Sequence, residues 1–158
     1  MTDSEANARK YAFVLLTYRG RSEKELQERL EKKGFAERHI SSTLKRLKEA
    51  GYLDDRALAL DLKHQAFDNK LLGHTSAKKF LLDRGIPNEI VDTTLEYDED
   101  AEAQKIQKLI DKKLRSMGNY SDIRKVKKLR DFLVRKGYSF RTIKKALQNA
   151  YQIEEEEE

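Results

Sequence analysis

The chain contains no cysteine, which excludes disulfide staples and thiolate chemistry and fits a reducing compartment. One proline and seven glycines in 158 residues leave little to interrupt helices except at turns. Long apolar runs are also missing. The longest, Ala12 to Leu16, falls far short of the ~20 residues that span a bilayer. The opening MTDSEANARK lacks the apolar core of a signal peptide, so a soluble cytoplasmic protein with no membrane partner is expected. Histidine is scarce: His39, His64 and His74 are the only three. None is read as having a second metal ligand at helical i+4 spacing, and no G-x-S-x-G, P-loop or zinc signature occurs. The acid-rich Asp98 to Glu102 stretch lacks the glycine and alternating ligands of a calcium loop. Adjacent Asp54 and Asp55 on a helix would point about 100° apart, which suits helix capping better than a catalytic dyad. No catalytic residue, metal or cofactor is expected, and the protein is read as a non-enzyme.

Charge, in contrast, is abundant. Charged residues make up 39% of the chain, and the mean hydropathy is -0.85. Disorder is nevertheless not expected, because the apolar residues fall at helical spacing. Lys and Arg number 33 against 28 Asp and Glu, a net +5, yet five of the acids form the terminal run Glu154 to Glu158. Without that tail the balance is 33 to 23. A basic body points to a polyanionic partner, and the tail reads as a solubilising appendage or as a competitor for the same basic surface, the first reading being favoured.

The organising pattern starts at Ser22. Ser22 and Glu25 have the spacing of a capping box, Leu26 and Leu30 lie one turn apart, and Gly34 follows the Lys32-Lys33 pair as a left-handed helix stop. Phe35 then packs back, and Ile40, Leu44 and Leu47 mark the inner stripe of a second helix. The same unit recurs at Gly85 and Gly137, spacings of 51 and 52 residues. Eight and four residues before each glycine stand Leu26 and Leu30, Ala77 and Leu81, Leu129 and Leu133. One after come Phe35, Ile86 and Tyr138; six after, Ile40, Val91 and Ile143; ten after, Leu44, Leu95 and Leu147. Five apolar columns in one register across three copies define an internal repeat. An all-α protein of three tandem three-helix repeats in an elongated array is expected, with repeats over 1–53, 54–97 and 98–153 and the acidic tail over 154–158.

Along the chain, Ser4 is a cap for a helix reaching residue 18, whose Phe13 and Val14 widen its apolar face and predict cover on more than one side. Asp54 or Asp55 caps a helix running to Lys70, with Leu58, Leu62 and Ala66 on one inner stripe and Leu60, Phe67 and Leu71 on a second. Pro87 suits the start of a helix. Ile106, Ile110, Leu114 and Met117 give a regular stripe. Ser121 or Asp122 caps the helix to Lys136, with Ile123, Val126, Leu129 and Leu133 inward. Ser139 caps the last helix, with Ile143, Ala146, Leu147 and Ala150 inward.

The outward residues carry the functional signal. Arg124, Lys127, Lys128 and Arg135 line one helix and Arg141, Lys144 and Lys145 the last. Lys70, Lys78, Lys79 and Arg84 belong to the middle repeat, and Arg19, Arg21, Lys45 and Arg46 to the first. Such stripes suit phosphate contacts whose strength falls with salt. A base-reading repressor would want Arg, Asn or Gln consistently at the start of a recognition helix. Glu37-Arg38-His39, Asn88-Glu89 and Arg141-Thr142 form no such set.

The ordered motifs Arg21-Ser22, Glu25-Leu26, Leu30, Lys33-Gly34-Phe35, Leu47 and Gly51-Tyr52-Leu53-Asp54-Asp55 with Ala59 resemble the RecX family of bacterial recombination regulators. So do Gly73, Leu81 and Arg84-Gly85-Ile86; Lys112-Lys113; Lys128-Leu129 with Phe132-Leu133; and Arg135 to Ser139 with Ile143 and Ala146-Leu147. The resemblance runs from about Lys10 to Ala150. It implies a modular helical protein that lodges in the groove of the RecA filament on single-stranded DNA and inhibits its growth, ATP hydrolysis and strand exchange. Leu58 stands where the family usually has Phe, and Leu71-Leu72 where it often has basic or aromatic residues. A monomer is expected. The alternatives are a basic helical-repeat protein that binds nucleic acid without RecA and, least favoured, an enzyme.

Overall fold

The structure is a computed structural model that describes residues 4–151; the acidic tail Glu154 to Glu158 lies outside the described residues, as do 152 and 153 at the end of the third repeat. Among the described residues there are nine α-helices, one π-helical turn and no strand. They are α1 (Glu5–Tyr18), α2 (Glu23–Lys33), α3 (Glu37–Glu49), α4 (Asp55–His64), the π turn Gln65–Asn69, α5 (His74–Asp83), α6 (Asn88–Thr94), α7 (Glu99–Ser116), α8 (Asp122–Arg135) and α9 (Phe140–Tyr151). The fold is an all-helical repeat array.

All fifteen column residues of the repeat are buried. Gly34, Gly85 and Gly137 share a left-handed backbone with φ of 94, 81 and 91°. At each stop the next residue donates its N–H to the leucine carbonyl five residues back: Phe35 to Leu30, Ile86 to Leu81 and Tyr138 to Leu133. Each glycine N–H bonds three residues back, to Glu31, Leu82 and Val134. This doubly bonded stop satisfies carbonyls that a helix end leaves open, and it turns the following apolar residue inward.

Helix starts follow the same economy of local chemistry. Ser4, Asp98 and Ser121 accept the N–H of Asn7, Ala101 and Arg124. Ser139 accepts the N–H of Thr142 at 3.1 Å. Ser22 forms the complete box with Glu25, both bonds at 3.1 Å. Pro87 precedes α6, its carbonyl accepting from Ile90 and Val91.

Residues up to Leu62 form one compact unit together with Phe80–Thr94; Lys63–Lys79 form the other with the chain from Leu95 onward. In the first, α1, α2 and α3 pack on one another around Ala8, Ala12, Leu15, Leu26, Leu30, Phe35, Ile40, Leu44, Leu47 and Leu53. In the second, α7, α8 and α9 enclose Ile106, Leu109, Ile110, Met117, Leu129, Leu133, Tyr138, Ile143, Ala146 and Leu147, with Leu71 packed against them. The segment of the middle repeat is therefore divided between the two units.

Several sequence expectations are corrected. Phe13 and Val14 remain 41% and 45% exposed, so the buried side of α1 is that of Ala8, Ala12 and Leu15, and Phe13 meets the exposed Tyr52 ring edge-on. Ile123 is 85% exposed: it sits in the first turn of α8, ahead of the helix's contact with the core. Ala150 is exposed near the end of α9, and Leu60 lies outside on α4. The helix from Asp55 does not run as α-helix to Lys70. Its last turn widens to π geometry, and Leu71 follows with φ 52°.

Candidate functional site

In the first unit the basic residues divide between internal bonds and solvent. Arg84 places its guanidinium against Glu25, with Nε 3.3 Å from Oε2, and its Nη2 donates to the Gly20 carbonyl at 2.9 Å. Only 17% of the Arg84 side chain is exposed. Arg19 bonds the same carboxylate at 3.0 Å. Glu25 thus closes the capping box of α2 and also gathers arginines, so Arg84 holds the fold together as well as carrying charge. Burial, followed by the neighbouring positive charge of Arg19, pushes the Arg21 guanidinium below its usual range. Lys45 is exposed on α3, and Arg46 lies 3.4 Å from Glu5. Ser42 donates to Glu5 at 2.5 Å, and this hydrogen bond is the main reason the Glu5 carboxyl sits below its ordinary pKa.

The aspartate pair has two separate structural duties. Asp54 caps α4 through the N–H groups of Arg56 and Ala57, at 3.0 and 3.1 Å. Asp55 instead accepts the N–H of Glu23, the first residue of α2, at 2.9 Å. Burial raises the Asp55 pKa, against the effect of that bond. Neither arrangement is a proton-sharing dyad.

In the second unit the turn before α5 is held by three side chains on three successive carbonyls. Lys136 Nζ donates to Lys70 at 3.1 Å, the Tyr138 hydroxyl to Leu71 at 2.7 Å, and Lys105 Nζ to Leu72 at 2.9 Å. The Gly73 N–H closes the set on the Lys136 carbonyl at 2.8 Å. Lys105 is buried, paired with Glu102 at 2.5 Å, and stands 3.4 Å above the Phe67 ring. Burial lowers its pKa, while Glu102 opposes that shift. The clamp is structural, and the uncharged turn residues Leu71 and Leu72 contribute their backbone. Around it Lys70 and Lys79 are exposed and Lys78 is half-buried.

The histidines do not assemble a metal centre. His74 Nε2 lies 2.6 Å from the Leu95 carbonyl, and its ring meets Tyr97 edge-on. His64 Nδ1 is 2.5 Å from the Asp68 carboxylate, an i+4 partner that the sequence reading overlooked. Among the described residues, no three His, Cys, Asp or Glu side chains gather as a metal-binding group.

The strongest basic surface is on α8. Arg124, Lys127, Lys128 and Arg135 are exposed, as the outward stripe predicts. Two of them converge on an aromatic ring: Arg124 lies 5.0 Å and Lys128 4.6 Å from the centre of Tyr120. Farther along, Lys113 of α7 stands 4.8 Å from the Phe132 ring and Lys136 5.7 Å from it. Tyr120, Phe132, Lys113 and Lys136 were missed as site candidates, although i+4 spacing makes Tyr120, Arg124 and Lys128 neighbours; continued to Lys136 the same spacing turns about 160° round the helix. On α9, Arg141, Lys144 and Lys145 are exposed, with Lys145 4.0 Å from Glu99. Among the described residues, no helix is long and apolar enough to cross a membrane.

Comparisons with known proteins agree with this architecture. Residues 8–47 match the family model described as the first three-helix domain of RecX, and residues 100–147 match that of its third three-helix domain. The chain is similar to proteins named regulatory protein RecX. The one from Chlorobaculum tepidum is 32% identical over 143 residues, covering 90% of this chain and 88% of the relative. The one from Oceanobacillus iheyensis is 31% identical over 134 residues, covering 84% of this chain; the matched region spans about half the length of that relative, 49%. The crystal structure of RecX from Lactobacillus salivarius shares the fold with a TM-score of 0.80 at 23% identity, covering 94% of this chain and 97% of the other. A second crystal structure, of a regulatory protein RecX, has a TM-score of 0.74 at 24% identity over 90% of this chain and 70% of the other. From the two matched helical domains and the identity shared over most of both chains with the Chlorobaculum tepidum relative, we conclude that the chain belongs to the RecX family.

Proposed function

We propose that the protein regulates recombination by binding the RecA filament on single-stranded DNA and inhibiting its ATPase, its extension and strand exchange. The observation that carries this reading is family membership across nearly the whole chain. The exposed cations of α8 and α9 support it, because a filament on DNA is a polyanionic partner and those cations are exposed to solvent. The protein acts by occupancy, with no active site of its own, as a cytoplasmic factor in DNA repair and the SOS response. The test is DNA-dependent ATP hydrolysis by the cognate RecA with this protein titrated in. Inhibition by a few molecules per filament is expected. Inhibition only at DNA-saturating levels would overturn the filament reading and leave a general nucleic-acid binder that competes for the strand.

A further inference from the structure

We infer that Tyr120, Arg124 and Lys128 form a short docking track for single-stranded nucleic acid, with the Tyr120 ring as its base-stacking end. The inference rests on the proposed function insofar as it takes this cationic face to meet nucleic acid, and it assigns that contact to a named ring. Tyr120 lies in the turn between α7 and α8 and is 41% exposed. It is not part of the second unit's apolar core, so packing does not account for its ring. Arg124 and Lys128 stand within 5.0 Å of the ring centre, which sets guanidinium and ammonium groups beside an aromatic face. Single strands are gripped by this combination: cations follow the phosphates, and a ring accepts a base whatever its identity. Cation–π contact also holds the ring in place before a base arrives.

From Arg124 to Lys128 the helix rises about 6 Å, so the two cations stand one turn apart beside the ring. Phe132 is half-buried and packed against the core, with Lys113 and Lys136 over its ring. Lys136 also donates to the Lys70 carbonyl, so this second ring belongs to the clamp of the fold and not to the track. Asp122 and Asp131, the two acids of α8, line a depression with Ile123, Val126, Lys127, Arg130 and Tyr151; Asp131 stands one turn beyond Lys128 and marks the end of the track. Duplex DNA offers no exposed base face to Tyr120, so the track favours unpaired strands.

The test compares fluorescence anisotropy of the full chain on labelled oligo-dT and on an abasic oligomer of equal length and charge. Wild type should bind oligo-dT about tenfold or more tightly than the abasic strand. Tyr120→Leu should erase that preference with its salt dependence unchanged, and Tyr120→Phe should restore it. Arg124→Gln with Lys128→Gln should lower the slope of log affinity against log salt by about 1.4. Equal binding of both strands by wild type, or a Tyr120→Leu variant that keeps the preference, would overturn the stacking assignment. Inhibition of the RecA ATPase with no binding to either strand would also overturn it, and would give this face to the filament protein. If the stacking result holds but ATPase inhibition fails, the proposed function falls and the track stands.

Discussion

Gly34 and Gly137 hold nearly the same backbone, φ +94 and +91°, in different surroundings. A Cβ on Gly34 would meet nothing within 4 Å, whereas one on Gly137 would lie 2.1 Å from Ser76 Oγ and 2.7 Å from its backbone nitrogen. Gly34→Ala should therefore cost only the left-handed strain of an L-residue, about 1–2 kcal/mol. Gly137→Ala should cost about 1–3 kcal/mol more, because backbone has to move; urea unfolding of both variants measures the difference. Tyr138 gives a pH-dependent counterpart. Burial, followed by the charge of Glu102, raises its phenol far above the ordinary value near 10. The native state thus keeps a proton that the unfolded chain releases above about pH 10, so this stabilisation is complete below that pH and is lost as pH rises further. Tyr138→Phe should lose about 1 kcal/mol at neutral pH with the Leu71 hydrogen bond and show a flatter alkaline decline. Urea melts at pH 8 and pH 10.5 would reveal an unchanged decline if other groups cause it.

At the scale of elements, caps and stops were readable because their chemistry is local: a serine and a glutamate three residues apart reach one another without help from the rest of the chain. Asp55 shows where such reading ends. Its spacing marks it as an acid at the start of α4, but its carboxylate serves Glu23 on α2, 32 residues away. Ser22 and Asp55 therefore both hold the start of α2, and Ser22→Ala alone should cost about 1 kcal/mol. Combined with Asp55→Ala, the loss should depart from the sum of the singles by about 0.5 kcal/mol or more, as a double-mutant cycle on thermal melts would show. Strict additivity would mean the two residues act separately. Ile123 marks the same boundary from the apolar side. Periodicity places it with Val126 and Leu129, but no pattern within α8 reveals where its neighbours stop covering it.

For the molecule as a whole, the cationic candidates were readable as residue types and only partly as a surface. Arg84 resembles any other arginine in sequence, yet its guanidinium is held by Glu25 and Gly20, while nothing in α8 itself announces the Tyr120 ring that Arg124 and Lys128 meet. Replacing Lys127, Lys128, Lys144 and Lys145 with glutamate should weaken filament binding at least tenfold and leave the circular dichroism spectrum intact; unchanged affinity would remove that surface from the proposal. The sequence copies and the packed bodies also differ in number. Three repeats are written in the chain, but they build two units, and the first of these includes Phe80–Thr94 from the middle copy. A fragment of residues 1–53 would lose Arg84 from Glu25 and Asp55 from α2, and should melt at a lower temperature than the intact first unit. The copy written in the sequence is therefore not the body that packs. Deleting 54–97 would take Asp55 and Arg84 from the first unit and the clamped carbonyls of Lys70, Leu71 and Leu72 from the second, so that one excision should destabilise both bodies.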